Sequence, residues 1–146
     1  MAGAICRKKL NLHNFLKIEI MKTLIDNEYH RIELDKGIMI ATWKISCIDL
    51  PAAKEASATR QAITSGQKYP LLVKMDAVKD STKEAREFLA SESSSKDLVA
   101  VALCVDSVLG DFISSFFVTV NKPLIPSKVF SDEIKAKEWL EQFTAN

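Results

Sequence analysis

The chain has 146 residues, of which 47% are hydrophobic and 27% charged, a composition typical of one globular domain with a sizeable core. Its net charge of +1 argues against the basic field that favours nucleic-acid binding. No apolar run reaches the length of about 20 residues that a membrane-spanning helix requires. The three cysteines form no CxxC pair, so we expect neither a disulfide framework nor a zinc site. This pattern favours a reducing compartment. We therefore expect a cytoplasmic protein without a metal or cofactor.

Residues 1–23 are predicted to be an extension, and residues 24–146 a single domain. Charged residues interrupt the apolar positions of the extension, so it does not read as a signal peptide. Five of its apolar side chains recur at roughly helical spacing: Leu10, Leu12, Phe15, Leu16 and Ile20. Two interpretations stay open. The segment is a disordered or amphipathic arm that contacts a membrane surface or a partner, or it is an upstream start before a natural first residue at Met21.

A β-hairpin is predicted between Asn27 and Lys44, because apolar and polar residues alternate on both sides of a turn at Asp35–Gly37. Gly37 suits the left-handed conformation of such a turn. His30 lies at the start of the first strand, and we expect it at the surface or at a sheet edge.

The first helix is predicted over Asp49–Gly66, with Asp49 as its cap and Pro51 in its first turn. Small residues dominate its predicted inward face, which allows close packing on a sheet: Ala52, Ala53, Ala56 and Ile63. Its predicted outer face is polar: Lys54, Glu55, Arg60 and Gln61.

Two apolar runs, Leu71–Asp76 and Leu98–Val105, are typical of parallel strands covered on both faces. A helical pattern over Thr82–Ser91 lies between them, and the serine-rich stretch Ser91–Ser95 is predicted to be a loop. Cys104, inside the second run, is expected to be an unreactive core thiol.

An apolar third helix is predicted over Ser107–Asn121, followed by a short strand at Val129 and Phe130 and a final helix capped by Ser131. The final helix has an apolar inward face: Ala136, Trp139, Leu140 and Phe143. The predicted fold class is α/β, with an N-terminal β-hairpin followed by βαβα units in the order β-β-α-β-α-β-α-β-α.

Catalytic signatures are absent: the chain has no nucleophile elbow, Walker loop or dinucleotide fingerprint. Two strand-to-helix turns remain as candidate sites, because open α/β sheets present their sites at the carboxyl ends of parallel strands. In the first turn, Ser81 and Glu84 have the spacing of a capping box, and a phosphate on Ser81 would be tolerated beside the helix N-terminus. The second turn offers Asp106 and Ser107.

The run LLVKMDAVKDSTKEA and the order of elements resemble the STAS (anti-anti-sigma factor, SpoIIAA-like) fold. The segment from Tyr69 to Leu140 is similar to small bacterial proteins described as STAS/SEC14-like, on three pieces in order: YPLLVKMDAVKDSTKEAREFLASE, AVALCVDSVLGDFISSFFVTVNKPLIPSKVFSDE and AKEWL. The resemblance implies a mixed SpoIIAA-like sheet. It also implies a regulatory motif, Asp-Ser-Ser/Thr-Gly, whose serine is phosphorylated by a partner kinase.

Three residues of this chain match that motif: Asp80, Ser81 and Thr82. Lys83 stands where the family has glycine, so a long charged side chain replaces bare backbone at the surface that a partner would contact.

Three functional hypotheses follow. The first is a non-enzymatic regulatory module that binds a protein partner through Asp80–Ala85. The second is a carrier of a lipid or small apolar ligand, and the third is a homodimer. The motivation for the last two is a helix more apolar than one sheet face requires, with four residues as the candidate surface: Phe112, Phe116, Phe117 and Val120.

Overall fold

The computed structural model describes residues 21–105 and 124–144. The described strands are β1 (Lys22–Asp26), β2 (His30–Asp35), β3 (Ile38–Trp43), β4 (Cys47–Ile48), β5 (Tyr69–Lys74), β6 (Asp80–Ser81), β7 (Leu98–Cys104) and β8 (Ser127–Phe130). The described helices are α1 (Leu50–Thr64), α2 (Lys83–Leu89), α3 (Glu92–Ser95) and α4 (Glu133–Glu141). The predicted third helix, Ser107–Asn121, lies outside the described residues.

The main sheet has six strands in the order β1-β2-β3-β5-β7-β8. The pairs β1/β2 and β2/β3 are antiparallel, whereas β3/β5, β5/β7 and β7/β8 are parallel. This arrangement confirms the predicted hairpin and the predicted parallel strands in a mixed α/β fold. The parallel strands β4 and β6 form a separate two-stranded sheet.

Strand β1 did not emerge from the sequence pattern. It pairs with β2, but the register shifts between Thr23 and Ile25, which breaks the period-two alternation by which a strand is recognised. It begins two residues before the predicted domain start at residue 24.

The turn between β2 and β3 has the conformation that the sequence predicts. Asp35 pairs with Ile38, and the two residues between them both have positive φ, 52° at Lys36 and 86° at Gly37. A two-residue turn of this kind matches the right-handed twist of the flanking strands. Gly37 adopts the left-handed conformation without the steric cost that a Cβ atom brings.

Each face of the main sheet has its own apolar cluster. On one face, α1 and α2 pack on the strands, and Ala52, Ala53 and Ala85 are buried between them. On the other face, Ala136 and Leu140 of α4 pack against the opposite side chains of β3, β5 and β7. The small residues predicted for the inner side of α1 therefore do face the sheet, and so does the predicted apolar face of α4.

Two predicted helix caps are wrong by one residue. Helix α2 is capped by Thr82, whose Oγ1 accepts from the Ala85 N–H at 3.1 Å, and not by Ser81. Ser81 is unavailable because its backbone is extended in β6, where it pairs with Ile48. Helix α4 is capped by Asp132 rather than Ser131. Aspartate and serine cap about equally well, so the residue type does not decide between neighbours.

The serine-rich stretch predicted as a loop contains the short helix α3. The hydroxyl of Ser91 accepts from the Ser94 N–H at 3.3 Å and thereby caps it. Ser94 is buried, and its Oγ lies 2.7 Å from the Oγ of Ser57 on α1. Contact with α1 thus orders a segment whose composition favours a loop.

Candidate functional site

A cavity of about 130 Å³ lies on the sheet face that α1 covers. Strands β3, β5 and β7 supply much of its wall through alternate side chains, including Trp43, Val73 and Leu103. Helix α1 contributes Ala56, and the segment before β8 contributes Leu124 and Ile125. Most of these lining groups are hydrocarbon, so the wall suits an apolar occupant.

His30 is a buried polar side chain of this wall that has no hydrogen-bond partner among the described residues. Its side chain is 2% exposed, and neither Nδ1 nor Nε2 bonds to any part of the chain that the structure describes. The backbone at His30 is held by Asn27, whose Oδ1 accepts from the His30 N–H at 3.0 Å. Pairing with Trp43 on β3 fixes the register that places the imidazole inward. The prediction of a surface or edge position for His30 is therefore wrong.

Burial holds the pKa of His30 below its ordinary value of 6.5, because the charged imidazolium is poorly solvated there. The Glu55 carboxylate opposes this effect, while the positive charges of Lys44 and Arg60 add to it. Glu55 Oε1 lies 3.7 Å from Nδ1, too far for a hydrogen bond. His30 is consequently neutral at pH 7, with one nitrogen as donor and the other as acceptor.

Arg60 also lines the cavity, but its charge is balanced by Asp97. Its Nε donates to Asp97 Oδ2 at 2.9 Å and its Nη2 to Asp97 Oδ1 at 3.1 Å. Nη2 donates in addition to the backbone carbonyl of Ser94. The pair joins α1 to the residue before β7. Arg60 was predicted on the outer face of α1, and the structure corrects this because the ion pair is buried.

The predicted turn lies at a junction of sheet and helix. Asp80 is exposed, whereas Ser81 is 5% exposed. Arg86 Nη1 lies 2.7 Å from the Ser81 carbonyl oxygen and 3.2 Å from its hydroxyl. Thr82 caps α2, and Lys83 is an exposed residue paired loosely with Glu87 at 3.9 Å. Ser81 is therefore buried in β6 and does not occupy the helix N-terminus that its capping-box spacing predicts.

None of the four residues of the predicted switch site lines the cavity: Asp80, Ser81, Thr82 and Lys83. The other predicted site residues, Asp106, Ser107, Phe112, Phe116, Phe117 and Val120, lie outside the described residues. The ligand or dimer surface assigned to the four apolar ones stays a prediction.

The sequence carried signals for the residues that were missed. Arg60 follows Ala53 and Ala56 at helical spacing, so it belongs to the buried stripe of α1. His30 alternates with the buried Ile32 and shares its face of β2. In both cases the polar residue type led to the prediction of an exposed position, although the spacing places the residue on a buried face. Asp97 had no such signal, because its partner comes from 37 residues away.

Within residues 21–105 and 124–144, no helix is long and apolar enough to cross a membrane. Over the same residues, no three His, Cys, Asp or Glu side chains converge in a group that could hold a metal ion.

The mixed, mostly parallel sheet with helices on both faces matches a SpoIIAA-like α/β fold, as the resemblance of the sequence implies. The structure is similar to the crystal structure of an uncharacterized protein of the DUF3478 family, with a SpoIIAA-like fold, from Shewanella loihica PV-4. The TM-score is 0.56 at 15% identity, over 84% of this chain and 96% of that one. Such a likeness shows the fold alone.

The chain belongs to the family described as Domain of unknown function (DUF7793), whose family model matches residues 32–144. The matched range includes β3, the cavity-lining part of α1 and the turn at Asp80–Ala85. A search of the curated proteins finds no match.

Proposed function

We propose that the protein is a non-enzymatic binding module that takes one small apolar molecule into the cavity beside α1. The observation that carries this proposal is the cavity itself, a space of about 130 Å³ with a mostly hydrocarbon wall. Protein interiors are close-packed, and voids of this size are few in an ordinary core. An apolar recess bordered by side chains of the main apolar cluster is a natural place for a ligand.

The volume favours a small ligand over a lipid. An apolar cavity of about 150 Å³ is known to bind benzene or xenon, so the present cavity suits one aromatic ring or a molecule of similar size. A complete acyl chain needs several times that space. Of the two ligand classes predicted from the sequence, the small apolar molecule therefore fits better than the lipid.

Titration of the ¹⁵N-labelled protein with toluene tests the proposal. We expect saturable shifts at backbone amides of the strands that line the cavity. Val101 is half-buried and lines the cavity, so Val101→Phe fills part of the space and should abolish the shifts. Val99 lies on the same strand outside the cavity wall, so Val99→Phe is the matched control and should bind normally. Absence of saturable binding to the unmodified protein would exclude the proposal.

We also propose, as a second candidate function, a regulatory role for the turn at Asp80–Ala85. One contact favours it: the Arg86 guanidinium lies 3.2 Å from the Ser81 hydroxyl, where it could pair with a phosphate. Because Ser81 is buried, a kinase would have to open the two-residue pairing of β6 with β4. Phosphorylation would then oppose reclosure by adding bulk and charge to a buried position.

The test compares proteins captured from extracts of the native host by Ser81→Asp and Ser81→Ala variants. We expect a partner retained by one variant and lost by the other, together with a phosphopeptide that contains Ser81. Thr82→Ser preserves the hydroxyl cap of α2 and is the control, which should capture the same proteins as the unmodified chain. Identical captures by both Ser81 variants, with no phosphopeptide, would rule the switch out.

A further inference from the structure

We propose that the cavity ligand is a neutral, ring-sized molecule with one hydrogen-bond donor, a phenol-like hydroxyl or an indole-like N–H, which donates to Nε2 of His30. This inference rests on the proposed binding function and adds the chemical class of the ligand. It comes from three features in and beside the wall: an imidazole without a hydrogen-bond partner among the described residues, a carboxylate outside the wall that lies near one of its nitrogens, and a cation whose charge is already balanced.

The first feature is the unsatisfied imidazole. His30 lines the cavity, and within residues 21–105 and 124–144 neither of its buried nitrogens has a hydrogen-bond partner. Buried polar side-chain atoms are paired in the large majority of cases, because an unpaired one loses its hydration without compensation. A molecule in the cavity can supply the missing partner, since the imidazole forms part of the cavity wall.

The second feature decides the direction of the hydrogen bond. Glu55 Oε1 lies 3.7 Å from Nδ1 of His30. A nearby carboxylate favours the proton on the nitrogen that faces it, so the neutral imidazole carries its hydrogen on Nδ1. Nε2 is then the acceptor, and the complementary group on the ligand is a donor.

The third feature decides the charge of the ligand. Among the described residues that line the cavity, the ionisable side chains are those of His30 and Arg60. The guanidinium of Arg60 donates from Nε and Nη2 to Asp97, so its charge has a buried counter-ion. A carboxylate ligand would lose its hydration without gaining an unbalanced cation. The site therefore favours a neutral molecule over an anion.

The cavity favours a flat ring as the body of the ligand. Its volume matches one aromatic ring. Trp43 and His30 are tilted by 53° to one another, with ring centroids 6.1 Å apart. Aromatic faces and edges in such an arrangement pack well against a further ring, and Met75 adds a polarisable contact to the same wall.

The experiment compares phenol with toluene, which has nearly the same shape but no donor, by titration of the full chain followed by NMR. Benzoate serves as the anionic probe. We expect the ratio of phenol to toluene affinity to fall about tenfold in His30→Phe relative to the unmodified protein, the factor for one lost hydrogen bond. Benzoate should bind at least about tenfold more weakly than phenol. Val99→Phe should leave the ratio unchanged.

A second measurement needs no variant at position 30. In long-range ¹H–¹⁵N spectra of the unmodified side chain, the Nε2 resonance of His30 should move when phenol binds and stay in place when toluene binds. The chain has one other histidine, His13, so a His13→Gln variant assigns the signals.

The outcomes separate the two proposals. If toluene and phenol both bind but His30→Phe leaves their affinity ratio unchanged, the donor inference is overturned and the binding function stands. Equal affinity for benzoate and phenol would overturn the requirement for a neutral ligand. If neither toluene nor phenol binds the unmodified protein, the binding function itself fails, and the inference fails with it.

Discussion

Replacement of Asp97 by alanine removes the carboxylate that neutralises a buried cation. Asp97 accepts two hydrogen bonds from Arg60, at 2.9 and 3.1 Å, and the side chains are 4% and 8% exposed. In Asp97→Ala, the guanidinium stays in the wall of the main apolar cluster without a counter-charge. Because both groups are almost fully shielded from water, solvent screening does not reduce the effect as it does for surface pairs.

The expected cost is about 3–5 kcal/mol in the free energy of unfolding, the range found when one partner of a buried ion pair is removed. For a chain of this size, such a loss lowers the melting temperature by about 10 °C. The double variant Arg60→Met/Asp97→Ala removes the stranded charge as well. We expect it to recover most of the loss, because apolar replacement of a buried pair is often neutral.

Urea unfolding followed by circular dichroism measures these differences. Glu87→Ala is the matched control, because it breaks the exposed pair with Lys83, whose side chains are 71% and 54% exposed for lysine and glutamate. We expect a change of less than about 0.5 kcal/mol there. A loss below about 1 kcal/mol in Asp97→Ala, or a double variant no more stable than the single one, would refute the reasoning.

Three further predictions concern single residues. Burial holds the pKa of His30 below 6.5, so as the pH falls the imidazole is protonated in the unfolded chain before it is protonated in the folded one. The free energy of unfolding should therefore decrease below pH 6.5 until His30 also titrates in the folded state. The slope should be at most about 1.4 kcal/mol per pH unit. His30→Phe should lack this component of the urea-unfolding profile, and equal profiles would contradict the pKa assignment. Thr82→Ala should cost about 1 kcal/mol through loss of the α2 cap, and Thr82→Ser should cost little; equal stability of the two in thermal unfolding would contradict the cap. Burial raises the pKa of the Cys104 thiol and so lowers its reactivity, whereas Cys47 is exposed. Peptide mapping after brief alkylation of the native protein should find Cys47 modified and Cys104 unmodified. Modification of both at equal rates would contradict the burial of Cys104.

The sequence predicts the elements whose signals are local. The alternation on both sides of Gly37 gave the hairpin, and the apolar runs gave the parallel strands. Asp49 and Pro51 gave the start of α1. These features depend on neighbours within one turn or one strand, so the residue pattern is sufficient to predict them.

Local reasoning failed where tertiary contacts fix the local conformation. Ser81 and Thr82 are both good capping residues, and pairing of Ser81 with Ile48 in β6 leaves the cap to Thr82. The serine-rich segment forms α3 where Ser94 meets Ser57 of α1. In each case a contact from more than 30 residues away selects among conformations of similar local preference.

The sequence by itself determined the α/β class and most of the buried positions of the described helices, because hydrophobic periodicity records which side of an element avoids water. The SpoIIAA-like fold was implied by the resemblance of the run LLVKMDAVKDSTKEA and of the element order to that family. Only the tertiary structure decided the candidate ligand site. His30 and Arg60 each lie on a predictable face, but the cavity between them depends on how side chains from separate strands and α1 pack together. The state of each polar group also depends on residues distant in sequence. Asp97 balances the charge of Arg60, and none of the described residues that surround His30 hydrogen-bonds to its imidazole.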